Sequence, residues 1–173
     1  MIYYYQVKKI SFRKILFWFI KSYFLLILLI SSFIMLPYML TLNQSFLVFC
    51  LKVEILFFFG ILLSFVLHEF MHIYFLKKDY GDIDVKVVFG WNKISIFPIT
   101  SDINSNTIIK VAVYPLVILF ILGISFFLIS LATNIFLFKI LSYIYLFHAI
   151  NIIPPLGDGL MLIKGILKNI EGR

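Results

Sequence analysis

From Ile15 to Leu36 the chain carries a single charge, Lys21, in a run long enough to cross the hydrocarbon core of a bilayer as a helix. Lys21 lies near the start of the run, where its stem can snorkel towards water. Three further runs of this kind follow. One extends from about Phe46 to His72 or a little beyond, one from Ile108 to about Leu131, and one from Ile135 to Ile153. In lipid, backbone polar groups must be satisfied within the segment, so such runs are restricted to helices. With 63% hydrophobic and only 13% charged residues, 173 residues cannot hide this much apolar surface in a water-soluble core. The expected fold class is an α-helical polytopic membrane protein with about four transmembrane helices, held in the lipid bilayer.

The ends of the runs carry their own signals. Pro37 closes the first, and Pro154-Pro155 closes the fourth, because proline lacks a backbone donor and restricts the residue before it. Met35-Leu36-Pro37 offers no small-residue cleavage site, so the first run reads as a retained helix and not as a signal peptide. Residues 1–14, with Lys8, Lys9, Arg13 and Lys14, suggest an amphipathic helix on the membrane surface. Between Lys77 and Lys110 two alternating runs, Asp84–Phe89 and Lys93–Phe97, flank Gly90-Trp91-Asn92, which predicts a β-hairpin-like loop. The net charge of +7 is no sign of nucleic acid in a chain without a soluble basic module; in a membrane protein Lys and Arg report topology. With four spans, only Lys52 and Lys139 fall on one side, which leaves thirteen of the fifteen Lys and Arg on the other. That side is expected to be cytoplasmic and to hold both termini. Cys50 is the only cysteine, so no internal disulfide or cysteine-based metal knuckle is expected. The Ile-, Phe-, Lys- and Asn-rich usage suggests an AT-rich bacterial genome and hence a bacterial cell membrane.

Within the second run, His68, Glu69, Phe70, Met71 and His72 form His-Glu-x-x-His. On a helix the two imidazoles lie one turn apart on one face, where both can bind a Zn2+ ion, and Glu69 on the adjoining edge can act as a general base. Gly60, Ser64, His68 and His72 recur every four residues, and such a stripe of small and polar residues is expected to face the bundle interior. Catalytic zinc takes three protein ligands and a water. The extended motif with a third histidine needs glycine and histidine where Phe75 and Lys78 stand, and the version with a distant glutamate has downstream only Glu171, near the C-terminus. Asp79, Asp82, Asp84 and Asp102 read as solvated loop carboxylates. Asp158 follows the interrupted fourth run, where a carboxylate is unfavourable unless a charged partner or metal holds it; the bland alternative is a turn residue between Gly157 and Gly159.

These motifs resemble the site-2 protease family of intramembrane zinc metalloproteases. The family pairs His-Glu-x-x-His on one membrane helix with Asn-x-x-Pro, a short spacer and Asp-Gly on a later one. The matching residues here are His68, Glu69 and His72, then Asn151, Pro154, Asp158 and Gly159. The spacer before Asp158 is one residue shorter than is common, Gly157 stands where Leu or Phe is usual, and Tyr114-Pro115 replaces a Gly-Pro. The resemblance implies zinc on His68, His72 and Asp158, Glu69 as catalytic base, and Asn151 positioning the substrate or the site. It also implies a three-helix core over residues 46–163, preceded by an additional helix within residues 1–45 and followed by a tail at 164–173. His148, on the fourth run, is a rival third ligand; its alternatives are an interior histidine or one supporting the ligands or facing substrate. The expected activity is hydrolysis of a peptide bond in a membrane-embedded protein or peptide near the cytoplasmic face. A non-catalytic zinc-binding membrane partner or immunity factor is the alternative. Metal transport would require polar residues spread through the spans, which are scarce.

Overall fold

The computed structural model describes residues 2–81, 83–89, 94–99 and 103–171. The turn at Gly90-Trp91-Asn92, and Asp82 and Asp102, lie outside the described residues. Four helical stretches are long and apolar enough to cross a membrane: Phe12–Thr41, Gln44–Asp79, Ser105–Thr133 and Phe136–Glu171. Their outward faces bear Leu25, Leu29, Phe33, Phe59 and Phe136, an apolar exterior unsuited to water.

Helix α1 (Phe12–Thr41) starts at Ser11, whose hydroxyl accepts from the Lys14 amide. It kinks at Tyr23, where φ and ψ leave the helical region. Contrary to expectation, it does not stop before Pro37 but continues for another turn to Thr41. A proline removes only one helix hydrogen bond, and the Thr41 hydroxyl donates to the Pro37 carbonyl at 2.8 Å. The second stretch is continuous from α2 (Gln44–Ile55) through a π-helical segment, Leu56–Leu62, into α3 (Leu63–Asp79). The wider π turn rearranges the carbonyl ladder, and the Tyr145 hydroxyl from a later helix donates to the Phe59 carbonyl at 3.1 Å.

The N-terminal segment is a strand, not the surface helix expected. Strand β1 (Ile2–Gln6) pairs antiparallel with β2 (Asp84–Phe89), which pairs antiparallel with β3 (Ile94–Pro98), in the order β1-β2-β3. The run Ile2-Tyr3-Tyr4-Tyr5 has the β-branched and aromatic character that suits a pleated surface. Val7, Val85 and Val87 beneath the sheet are fully buried. The Tyr5 ring lies 4.8 Å from that of Trp18, with the Lys14 ammonium 4.0 Å over it, so the sheet is locked to the start of α1.

Helix α4 (Ser105–Thr133) is the spine on which the final stretch lies. That stretch is broken into α5 (Phe136–Phe147), a 3-10 segment (His148–Ile152), and α6 (Gly157–Glu171). The break falls at Pro154-Pro155, where the sequence predicts it. Phe126 meets Phe138 and Tyr145, Gly123 sits against Leu146, Gly165 against Ile109, and the Lys168 ammonium donates to the Ile103 carbonyl at 2.8 Å. Numbers rising along α4 match numbers falling along α5 and α6, so both half-helices run antiparallel to α4. Helix α6 runs past residue 163 to Glu171 without a break. Asp158 therefore sits in the middle of a discontinuous helical path.

A Cβ at Gly123 would lie 2.8 Å from Leu146 Cγ and 3.1 Å from its amide nitrogen. Gly123→Val is expected to destabilise the α4–α5 contact by roughly 1–3 kcal/mol, read as a lowered melting temperature in detergent. Gly81→Ala, with nothing nearer than a carbonyl at 3.9 Å, should leave it nearly unchanged.

Candidate metal centre

Helix α3 places His68 and His72 one turn apart. Gly60, Ser64 and His68 on the same stripe are buried and His72 is half-buried, so the stripe faces the bundle interior as expected. The two Nε2 atoms are 3.0 Å apart, with the rings edge to face. Asp158, buried at the start of α6, completes the group. Its Oδ2 lies 3.1 Å from His68 Nε2 and its Oδ1 lies 3.2 Å from His72 Nε2. These three residues form a cluster able to hold a metal ion.

Hydrogen bonding makes the cluster more than a close approach. His72 Nδ1 lies 2.8 Å from the Val111 carbonyl of α4. A carbonyl only accepts, so Nδ1 carries a proton, and in the neutral ring Nε2 presents a lone pair to the centre. That lone pair faces the Asp158 carboxylate, itself acceptor-only when ionised. Among the described residues neither Asp158 Oδ2 nor His68 Nδ1, both buried, has a hydrogen-bond partner. Converging lone pairs in a buried place repel unless a cation lies among them. A small four-coordinate divalent metal holds N and O ligands at about 2.0–2.2 Å, which puts neighbouring ligand atoms about 3.3–3.6 Å apart. The observed separations of 3.0, 3.1 and 3.2 Å, the last two to different oxygens of Asp158, are a few tenths shorter, so slight spreading admits the ion. The residues present fit a metal.

His148 is not in the converging group. Its Nε2 is 2.9 Å from the Ser64 hydroxyl, and that hydroxyl gives its one proton to the Ile61 carbonyl at 3.0 Å. His148 must therefore donate through Nε2. Its ring stacks on His68 at 5.5 Å between centroids and meets Phe65 edge-on, so it forms one wall holding the His68 plane. Glu69 is half-buried next to the ligands, within electrostatic range of His72 and of Tyr23 at the α1 kink. Asn151 is half-buried and makes no side-chain hydrogen bond among the described residues. Pro154 is exposed, and its contribution is backbone. A Cβ at Gly159 would lie 2.5 Å from the Ile152 carbonyl oxygen and 2.8 Å from Pro154 N. Only glycine lets the broken segment fold back onto the start of α6 and aim Asp158 inwards.

Sequence reasoning alone missed the Val111 carbonyl, the Ser64–His148 pair and Tyr23. Ser64 was visible as part of the four-residue stripe; a backbone acceptor on another helix leaves no mark in a sequence. Comparisons with protein-family models, curated proteins and solved structures gave no match to this chain.

Gly159→Ala is expected to weaken metal binding about 10–100-fold through displacement of Asp158, measured by competition with a chromogenic chelator. Gly157→Ala, whose Cβ meets nothing within 4 Å, should bind metal as the parent does.

Proposed function

We propose that this chain is an intramembrane zinc metalloprotease of the site-2 type, cleaving a peptide bond in a membrane-embedded protein or peptide. The observation that carries this reading is the convergence of His68, His72 and Asp158 with Glu69 beside them, inside helices apolar enough to span a bilayer. Two imidazoles and one carboxylate are ordinary zinc donors. Among the described residues the group stops at three, which supports an open position for water or substrate; a structural zinc site would normally close its fourth position with protein. That feature favours the enzyme over a non-catalytic zinc-binding partner or immunity factor.

Zinc bound by these residues would supply an acidified water and polarise the scissile carbonyl. The rest falls to the chain. Glu69 accepts the proton of the attacking water and passes it to the departing amine. The Val111 carbonyl fixes the His72 tautomer, and His148, held by Ser64, fixes the plane of His68. The unpartnered Asn151 amide is available to a substrate peptide group. Helical substrates hide their peptide groups in intrahelical hydrogen bonds, so the segment to be cut must unwind. The edge of β3 offers backbone groups to an extended segment, because β1 already occupies the other edge of β2.

The positive charges on the side of Asp79, Ser105 and Glu171 support a cytoplasmic location for that end, with both termini inside a bacterial cell membrane. His72 is level with Val111, under two turns from the start of α4, so cleavage would occur within the bilayer near its cytoplasmic face.

Glu69→Gln is expected to keep its zinc and lose about 10²–10⁴-fold in cleavage of a membrane-tethered substrate, scored by metal analysis and product formation on one preparation. Undiminished cleavage would overturn the mechanism. Asp158→Ala should lose stoichiometric zinc whereas His148→Ala should retain it; the opposite result would move the third ligand to His148.

A further inference from the structure

Far from the metal centre, α2 carries another carboxylate, on the wall of an open groove. Glu54 is half-buried, 15 positions before Glu69 on the same continuous helix, or about 22 Å along its axis. It lines an open groove of about 410 Å³ between α1 and α2, together with Ser31, Ser32, Met35, Met39 and Phe58. Its one hydrogen bond among the described residues is from the Ser31 hydroxyl, at 3.2 Å to Oε2. A carboxylate has about four acceptor sites, so a single neutral donor leaves it largely unsatisfied. Among the described residues no cation lies within ion-pair distance of it. Lys52, two positions away, is exposed. An ionisable group within the hydrocarbon region is unfavourable without a partner.

From this groove we infer that Glu54, with Ser31 and Ser32, forms a docking site for a transmembrane helix bearing a lysine or arginine within the hydrocarbon region. The occupant follows from charge complementarity: the groove offers one carboxylate and two hydroxyls, all able to accept, on an otherwise apolar floor of methionine and phenylalanine. A lysine on a lipid-embedded helix brings three donors and a stem that packs on Met35, Met39 and Phe58. This rests on the protease reading in taking that helix as the substrate's. The basic side chain then sits roughly 20 Å from the scissile bond, towards the Gln44 end of the helix. Two anchor points would select substrates by the depth of a charge, which a site that reads only an unwound backbone cannot do.

The test uses the full chain carrying Glu69→Gln in phosphatidylcholine vesicles. The probes are two fluorescent single-span Leu/Ala peptides, one with a core lysine and one with leucine in its place. Energy transfer to the labelled chain should show the lysine peptide binding about tenfold more tightly, and adding Glu54→Gln should abolish the preference. Glutamine keeps an acceptor for Ser31, so a merely structural Glu54 would leave the preference intact. Equal binding of the two peptides, as when lipid fills the groove, overturns the inference. So does a preference that survives Glu54→Gln, or a Glu54-dependent signal between copies of the chain. Cleavage is read separately with Glu69 present: docking without cleavage sinks the protease reading alone, and cleavage without the lysine preference sinks the groove alone.

Discussion

The Val111 carbonyl takes the Nδ1 proton of His72, and the character of the centre follows from that hydrogen bond. In the neutral ring with Nδ1 protonated, Nε2 can only accept, and it points at the oxygens of Asp158 and the Nε2 of His68. His68 can place one proton in the gap at most, too few for three acceptors. In water such a cluster would simply be hydrated. Here Asp158 Oδ2 is buried with no hydrogen-bond partner among the described residues, and a bound cation would satisfy the group. The bond also ties ligand geometry to helix packing, since α3 and α4 must keep their register for the tautomer to hold.

The rest of the architecture serves that convergence. An unbroken fourth helix would carry Asp158 on past the histidines. The interruption after Ile152, folded tightly over Gly159, aims the carboxylate back at α3 while α5 and α6 keep their grip on α4 through Gly123 and Gly165. Residues 152–157 of the interruption are exposed, and burial resumes at Asp158 and Gly159, where the chain meets the histidines. The sheet and α1 close the remaining side. Tyr5 on Trp18 joins β1 to the first helix, and Phe12 on Phe70 brings that helix against the motif itself. Helix α1 is thus part of the wall beside Glu69, with Tyr23 at its kink.

Much of this was legible in the residues because two strong regularities survive in a single sequence. Apolar runs of spanning length located all four helical stretches, and the four-residue stripe of Gly60, Ser64, His68 and His72 identified the inward face. The proline pair located the break that delivers Asp158. What was not legible depended on partners distant in sequence. Residues 1–14 have basic and apolar residues that suit a surface helix, and only pairing with β2 makes Ile2–Gln6 a strand. Pro37 marks a lost hydrogen bond but not whether the helix stops there, and the helix goes on to Thr41. His148 could be a ligand until Ser64 is seen to occupy its Nε2. Glu54 belongs to no motif in the sequence, and only the placement of Ser31 across from it shows that it lines a groove.

The central claim is an open centre of two imidazoles and one carboxylate, and the most direct measurement is zinc K-edge X-ray absorption on the purified, zinc-loaded chain. The account predicts one zinc per chain, four-coordinate, with scattering from two imidazoles and two oxygen ligands at about 2.0–2.1 Å, one of the oxygens exchangeable. Scattering from a third imidazole, or the absence of tightly bound zinc from a folded preparation, would contradict it.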